Sequence, residues 1–310
     1  MEIFRTSRAY RMVAGDAARG QLSHAYLFVC PDGRNLRAFL KELAVLIMQA
    51  DERIARLIGE ERCQDCRIFP APGEKATVAD VKLLLDECYI KPAECDRKLF
   101  VFDRVHEMLP PAQNKLLKIL EEPPQNVYFL LGAESEFPVL STVKSRTKRL
   151  ELLSFPQAQL AEYIAKEYPH CGGAEEIAAM AGGVLGRAQS LAEEGGAAEK
   201  TEEIALFVLN LSPAAIPAAS RRYAEKGEAP QFLAALRLVL RDMLMIRLGR
   251  GDRLVSGGAQ NILERAVGRY PVAALVRAQE LIGETERDFK FNANPSAGIE
   301  KLLVGILEAR

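Results

Sequence analysis

Side chains able to do chemistry are thinly spread along this sequence. Cys63 and Cys66 form a Cys-x-x-Cys pair, a spacing with metal or redox potential. Structural zinc takes four ligands, and Cys88 and Cys95 lie too far along to complete a set without a rearrangement, so zinc is not expected. No thioredoxin-like pattern surrounds the pair, so redox chemistry is not expected either. His24 and His106 have no Ser or Cys motif beside them, which leaves no nucleophile–base arrangement. Asp103 closes the apolar run Lys98–Phe102, a residual acid at the end of a predicted strand. The densest charge is the run Thr142–Arg149, with Lys144, Arg146, Lys148 and Arg149. On composition alone that run reads as a solvated loop.

The elements that must position these residues follow from composition and periodicity. A length of 310 residues suggests two or three domains, and 49% hydrophobic against 27% charged residues allows real cores and excludes a disordered chain. Lys and Arg total 41 against 42 Asp and Glu, a net charge of -1. A protein that grips DNA unaided carries a basic excess, so any nucleic-acid contact is expected to be local or made within an assembly. No apolar run is long enough to span a membrane. The N-terminus lacks an apolar secretory segment, and six cysteines fall without a framework spacing. A cytoplasmic chain with reduced thiols is expected.

The first half alternates β-type runs with helical patterns, the signature of a parallel sheet covered by helices. Strands are predicted at Ala25–Cys30, Lys98–Phe102, Val127–Leu131 and Thr147–Leu152, with Ile68–Phe69 a poor candidate cut off by Pro70 and Pro72. Helices are predicted over 36–57, from Val78 to Tyr89, and over Pro111–Glu122, which Pro123-Pro124 stops. After Phe155 only helical periodicity persists. Gly172-Gly173, Gly182-Gly183 and Gly195-Gly196 punctuate three short helices, and longer amphipathic helices run on to Arg310. Gln231–Leu248 is the most apolar and is expected to pack on neighbours or on other subunits. The expected fold class is an α/β domain with a parallel sheet over 1–155, a small helical domain over 156–200 and an all-α domain over 201–310.

Asn114–Pro124 (NKLLKILEEPP) is similar to the N-x-L-L-K-x-L-E-E-P-P segment of clamp-loader ATPases. In register with it, Leu22–Phe28 (LSHAYLF) is similar to the lead-in to a phosphate loop, Val101–Asp103 to a Walker B strand, and Ser145-Arg146-Thr147 to the Ser-Arg-Cys motif. Gly183–Ala188 (GVLGRA) is similar to the sensor-2 region, with Arg187 at its arginine, and Asn292–Leu303 to the end of the collar. The sequence thus resembles the bacterial DNA polymerase III clamp-loader family of AAA+ proteins, with its delta-prime branch nearest. The resemblance makes 156–200 a lid and 201–310 a collar.

A working phosphate loop needs glycines that let backbone N–H groups wrap the phosphates, a lysine for the outer oxygens and a hydroxyl for Mg²⁺. Here Cys30 stands at the leading glycine, Gly33 is kept, Asn35 stands at a second glycine, Leu36 at the lysine and Arg37 at the hydroxyl. Asp103 keeps the Walker B acid, Arg104 replaces the glutamate that orients water, and Gly132-Ala133-Glu134 lacks a sensor-1 hydroxyl or amide. The resemblance therefore implies a pseudo-ATPase, with no nucleotide or other cofactor held in cis and Arg187 a structural lid arginine. It also implies that Arg146, flanked by Ser145 and Thr147, acts in trans as an arginine finger on ATP bound by a neighbouring subunit. Lys144, Lys148 and Arg149 are left as surface charges or as groups facing DNA.

The implied partners are gamma/tau and delta subunits and, through the assembly, the sliding clamp and primed DNA of a polymerase III holoenzyme. An AAA+ adaptor in repair or recombination, or an active gamma/tau-type ATPase, are the rival readings.

Overall fold

β1 (Ala25–Val29), β2 (Cys66–Phe69), β3 (Lys98–Phe102), β4 (Val127–Ala133) and β5 (Lys148–Glu151) form one parallel sheet in the order β2-β3-β4-β1-β5. Every residue of β1 and β3 is buried, as a strand covered on both faces demands, and this is why both read as apolar runs broken only by Lys98. The computed structural model describes residues 2–225, 228–290 and 293–310. These fall into two units, Met1–Ser154 and Phe155–Arg310. Asn292, the first residue of the collar-like segment Asn292–Leu303, lies outside the described residues.

Helices supply the crossovers that parallel strands require. α1 (Glu2–Arg5) and α2 (Arg8–Ala18) precede β1, and α3 (Leu36–Ile47) and α4 (Glu52–Gly59) lead to β2. α5 (Val78–Glu87) joins β2 to β3, α6 (Pro110–Glu121) joins β3 to β4, and the single turn α7 (Ser141–Lys144) leads into β5. A stacked aromatic pair, Phe28–Phe39 with centroids 4.4 Å apart, ties α3 to the sheet, and Phe69–Phe102 at 5.2 Å and Phe100–Phe129 at 6.0 Å join neighbouring strands.

Two expectations need correction in this unit. The helix expected over 36–57 is two helices, because Gln49 takes a positive φ of 50° and Asp51 restarts the chain by capping Ile54 N at 2.7 Å. Ile68–Phe69 belongs to a full strand, since both prolines fall beyond its end and β2 needs ladder partners on one side only.

In the second unit, α8 (Gln157–Glu167), α9 (Ala174–Ala181) and α10 (Leu185–Glu194) are parted by the glycine pairs. Gly182 ends α9 in the left-handed region, at a φ of 61°. α11 (Ala197–Leu209), α12 (Ile216–Tyr223), α13 (Glu228–Arg247), α14 (Gln260–Val267), α15 (Val272–Lys290) and α16 (Pro295–Glu308) complete it. The apolar faces of α13 find their cover inside the unit, on α9, α11, α14 and α15. Among the described residues no helix is long and apolar enough to cross a membrane.

Candidate functional site

The carboxyl ends of β1, β2, β3 and β4 deliver Cys30, Pro70, Asp103 and Glu134 to one edge of the sheet, where open α/β sheets hold ligands. The loop after β1 closes on itself there. Cys30 N donates to the Ala133 carbonyl at 2.8 Å, and its thiol is buried and pushed up to about 12, chiefly by that burial. Asn35 Nδ2 donates to Asp32 Oδ2 at 2.8 Å, and both side chains are buried. Leu36 is buried too, packed into the core rather than facing the loop's mouth. Over Gly33 lies the Glu134 carboxylate, so close that a Cβ on the glycine would collide with Oε1.

Arg37 completes the closure. Its Nε and Nη2 donate to the two Glu61 oxygens at 2.8 and 2.5 Å, its Nη1 to Asp103 Oδ2 at 3.3 Å, and Nη2 also to the Pro70 carbonyl at 3.0 Å. Burial pulls the guanidinium down, but the Glu61 bonds outweigh it and hold Arg37 above its ordinary value. Glu61 is correspondingly driven down to about 2 by the Arg37 bonds against the cost of its burial, with Lys41 at 2.8 Å helping. A fixed organic cation therefore sits on the strand-end acid. Asp103 Oδ1 is buried and, among the described residues, takes no hydrogen bond.

Arg104, in the left-handed region at a φ of 57°, turns away to Glu107 at 3.3 Å and Glu134 at 3.6 Å. Asp103 is thus paired with Arg37, and neither Arg104 nor Lys98 fills that role; Lys98 donates to the Glu87 carbonyl at 3.0 Å. These donors do not fit a triphosphate with its Mg²⁺. A carboxylate covers the glycine, leucine stands at the lysine and a guanidinium occupies the acid.

Arg146 is presented differently, on the turn between α7 and β5. Thr147 Oγ1 donates to the Val143 and Lys144 carbonyls, both at 3.2 Å, and Ser145 Oγ to the Thr142 carbonyl at 3.1 Å, so the flanking hydroxyls lock the turn. Arg146 Nη1 donates to the Thr142 carbonyl at 2.9 Å, and Nη2 pairs with Glu121 at the end of α6. Its side chain is 33% exposed and that of Glu121 48%.

The rest of the basic run is engaged elsewhere. Lys148 reaches Asp16 at 2.5 Å, where Tyr26 Oη and Arg19 also donate, and these bonds, led by that of Lys148, hold Asp16 below its ordinary value. Arg149 pairs with Glu136 and Glu151, and Lys144 Nζ donates to the Glu136 carbonyl.

Cys63 and Cys66 are both buried, and the structure brings Cys95 to them, contrary to the expectation from spacing. Asp65 causes this by accepting the backbone N–H groups of Ala93, Glu94 and Cys95 at 2.8 to 2.9 Å, which folds that loop back. Cys95 lies near Cys63 and is pushed up to about 12, first by burial. Among the described residues no group of three or more His, Cys, Asp or Glu side chains is set out to hold a metal ion. Arg187, in the second unit, donates to the Pro230 carbonyl at 3.0 Å.

Sequence reasoning missed Glu61 and the role of Glu134. Glu61 enters through a single residue at positive φ after α4, which no spacing announces.

A family model described as DNA polymerase III, delta subunit, matches residues 5–156. The chain is 30% identical to the gamma/tau subunit of DNA polymerase III from Mycobacterium tuberculosis over 166 residues, 50% of this chain and 28% of that protein. It spans little more than a quarter of such relatives. It is 24% identical to the delta-prime subunit of DNA polymerase III from Bacillus subtilis over 276 residues, 80% of each chain. Among solved structures, a gamma subunit-related protein from Thermotoga maritima aligns over 97% of this chain and 99% of its own, with a TM-score of 0.43 and 16% identity. Over residues 5–156 the chain matches the DNA polymerase III delta-subunit family, and its relatives are gamma/tau and delta-prime subunits of that polymerase.

Proposed function

We propose that this chain is a delta-prime-type, non-hydrolysing subunit of the clamp loader, a cytoplasmic assembly, and that it supplies Arg146 in trans to ATP held by a neighbouring subunit. The observation that carries the reading is the Arg37–Asp103 pair, which puts a tethered cation on the acid that in an active member serves Mg²⁺. Glu134 over Gly33 and the buried Leu36 support it. So does the Bacillus subtilis delta-prime relative, matched over most of both chains.

On this reading 156–200 is the lid and 201–310 the collar. The partners are gamma/tau and delta subunits, and the assembly places the sliding clamp on primed DNA. A finger in this position stabilises charge developing on the transferred phosphoryl group. The chain holds no nucleotide and no zinc of its own.

The test is a loader reconstituted with its gamma/tau and delta partners, wild type against Arg146→Ala, after confirming equal assembly. Loss of DNA- and clamp-stimulated ATP hydrolysis is expected, together with no labelled-ATP binding by the isolated chain. An unchanged rate removes the finger. ATP binding by the isolated chain restores the gamma/tau-type reading, and failure of wild type to assemble favours an adaptor in repair or recombination.

A further inference from the structure

A cavity of about 460 Å³ lies within the second unit, lined from α8, α9, α10, α13 and α15. Met180, Val184 and Leu238 give it apolar wall, and Arg187, Arg237 and Arg241 bring three guanidiniums to it against the single carboxylate of Glu286. The three arginines are provided for unequally. Arg237 donates to Glu286 at 2.8 Å. Arg241 donates to Asp242 at 2.5 Å, and the other Asp242 oxygen takes the backbone N–H groups of Val255 and Ser256 and the Ser256 hydroxyl.

Arg187 has the Pro230 carbonyl at 3.0 Å, and among the described residues no carboxylate pairs with it. Burial lowers its affinity for the proton, and Arg237 lowers it further against the pull of Glu286. An arginine carries five N–H donors in a planar fork that matches a carboxylate. One carbonyl leaves most of them for a guest. Three guanidiniums against Glu286 and Asp242 leave one positive charge.

We propose that this cavity is a binding site for a small organic carboxylate, its charged group forked by Arg187 and its apolar body against Met180 and Leu238. A half-buried cation without a counter-ion destabilises the empty chain, and a ligand that supplies the counter-ion restores what is lost. The volume falls within the range of small-molecule pockets, roughly 300–1,000 Å³.

The experiment uses the full chain with hexanoate as probe and hexanol as its uncharged counterpart, followed by thermal unfolding and titration calorimetry. Hexanoate is expected to raise the Tm and hexanol to leave it in place. Arg187→Met is expected to raise the Tm of the ligand-free chain and to weaken hexanoate at least tenfold. The assignment is overturned if hexanoate gives no shift, if hexanol matches it, or if Arg187→Met lowers the Tm while hexanoate binds as before.

Discussion

Arg37 and Arg146 belong to the same unit, and each is held by carboxylate, yet they are put to opposite use. The Arg37 side chain is 20% exposed, and the carboxylates that hold it, Glu61 and Asp103, are 19% and 10% exposed. All of its bonds run inward, to two acids and a carbonyl. Arg146 is 33% exposed and rests on a carboxylate that is 48% exposed. A pair in the first setting is committed, because parting it strands charge away from water. A pair in the second exchanges partners at little cost, because water screens both members. Burial thus makes one arginine a permanent internal cation and leaves the other open to exchanging its partner. On the proposed function, the same unit gives up one nucleotide site and keeps the means to complete another.

The sharpest way to break this contrast is Arg146→Ala in the reconstituted loader. Single-turnover hydrolysis at the neighbouring site should fall on the order of 10³, the lower end for such fingers. Arg146→Lys should rescue little, since an ammonium lacks the planar fork. Stability of the isolated chain should barely change. Arg37→Met should do the reverse, leaving loader hydrolysis near wild type if assembly holds and costing the chain about 3 kcal/mol by stranding Asp103 and leaving Glu61 to Lys41 alone. Mg²⁺ or Mn²⁺ should recover part of that loss in the variant and none in wild type, because the freed acid already has one oxygen, Oδ1, without a partner among the described residues. Denaturant unfolding with and without the cation measures both effects.

The two arginines were not equally legible in the sequence. The sheet was readable because Ala25–Val29 and Lys98–Phe102 are apolar at every position but one, the pattern of strands buried on both faces. Arg146 was singled out only because Ser145-Arg146-Thr147 resembles the Ser-Arg-Cys motif, since composition alone makes it part of a solvated loop. Arg37 was readable only as a loss, a side chain unable to bind a cation. That it replaces the cation depends on Glu61, 24 residues on, and on Asp103, 66 residues on. Such pairings are set by tertiary closure, and nothing periodic betrays them. Cys95 reached Cys63 for the same reason, through three backbone N–H groups that Asp65 gathers. The edge strand β2 was undervalued because its two flanking prolines lie next to the ladder rather than in it.

Acid titration sharpens the committed side. Glu61 is held at about 2, against 4.5 for an ordinary glutamate. A depressed carboxylate contributes stability that is complete above the unfolded value and is lost as pH falls through the folded one. Glu61→Gln should therefore cost about 2 kcal/mol near neutrality, after allowance for partial exposure. The gap between variant and wild type should close between pH 4.5 and about 2. A gap that stays constant over that window would show that Glu61 stabilises by packing, and Arg37 would lose its claim to be a charge lock.

The smallest effect probes the exposed side. Glu121 is the one carboxylate paired with Arg146 among the described residues, and both members stand in water. If that pair is a resting contact, Glu121→Gln should change stability by less than about 0.5 kcal/mol, as exposed pairs do. It should also leave the maximal hydrolysis rate of the loader unchanged, because on the proposed function a phosphate replaces the carboxylate in the assembled state. Salt should expose the difference between resting contact and committed bond. Raising ionic strength screens the Glu121 pair almost fully while sparing Arg37–Glu61, so variant and wild type should converge at Glu121 and stay apart at Glu61. A loss of maximal rate in Glu121→Gln would instead mean that the carboxylate aims the arginine during hydrolysis, and the contrast between a buried lock and a free finger would have to be redrawn as one between two positioned cations.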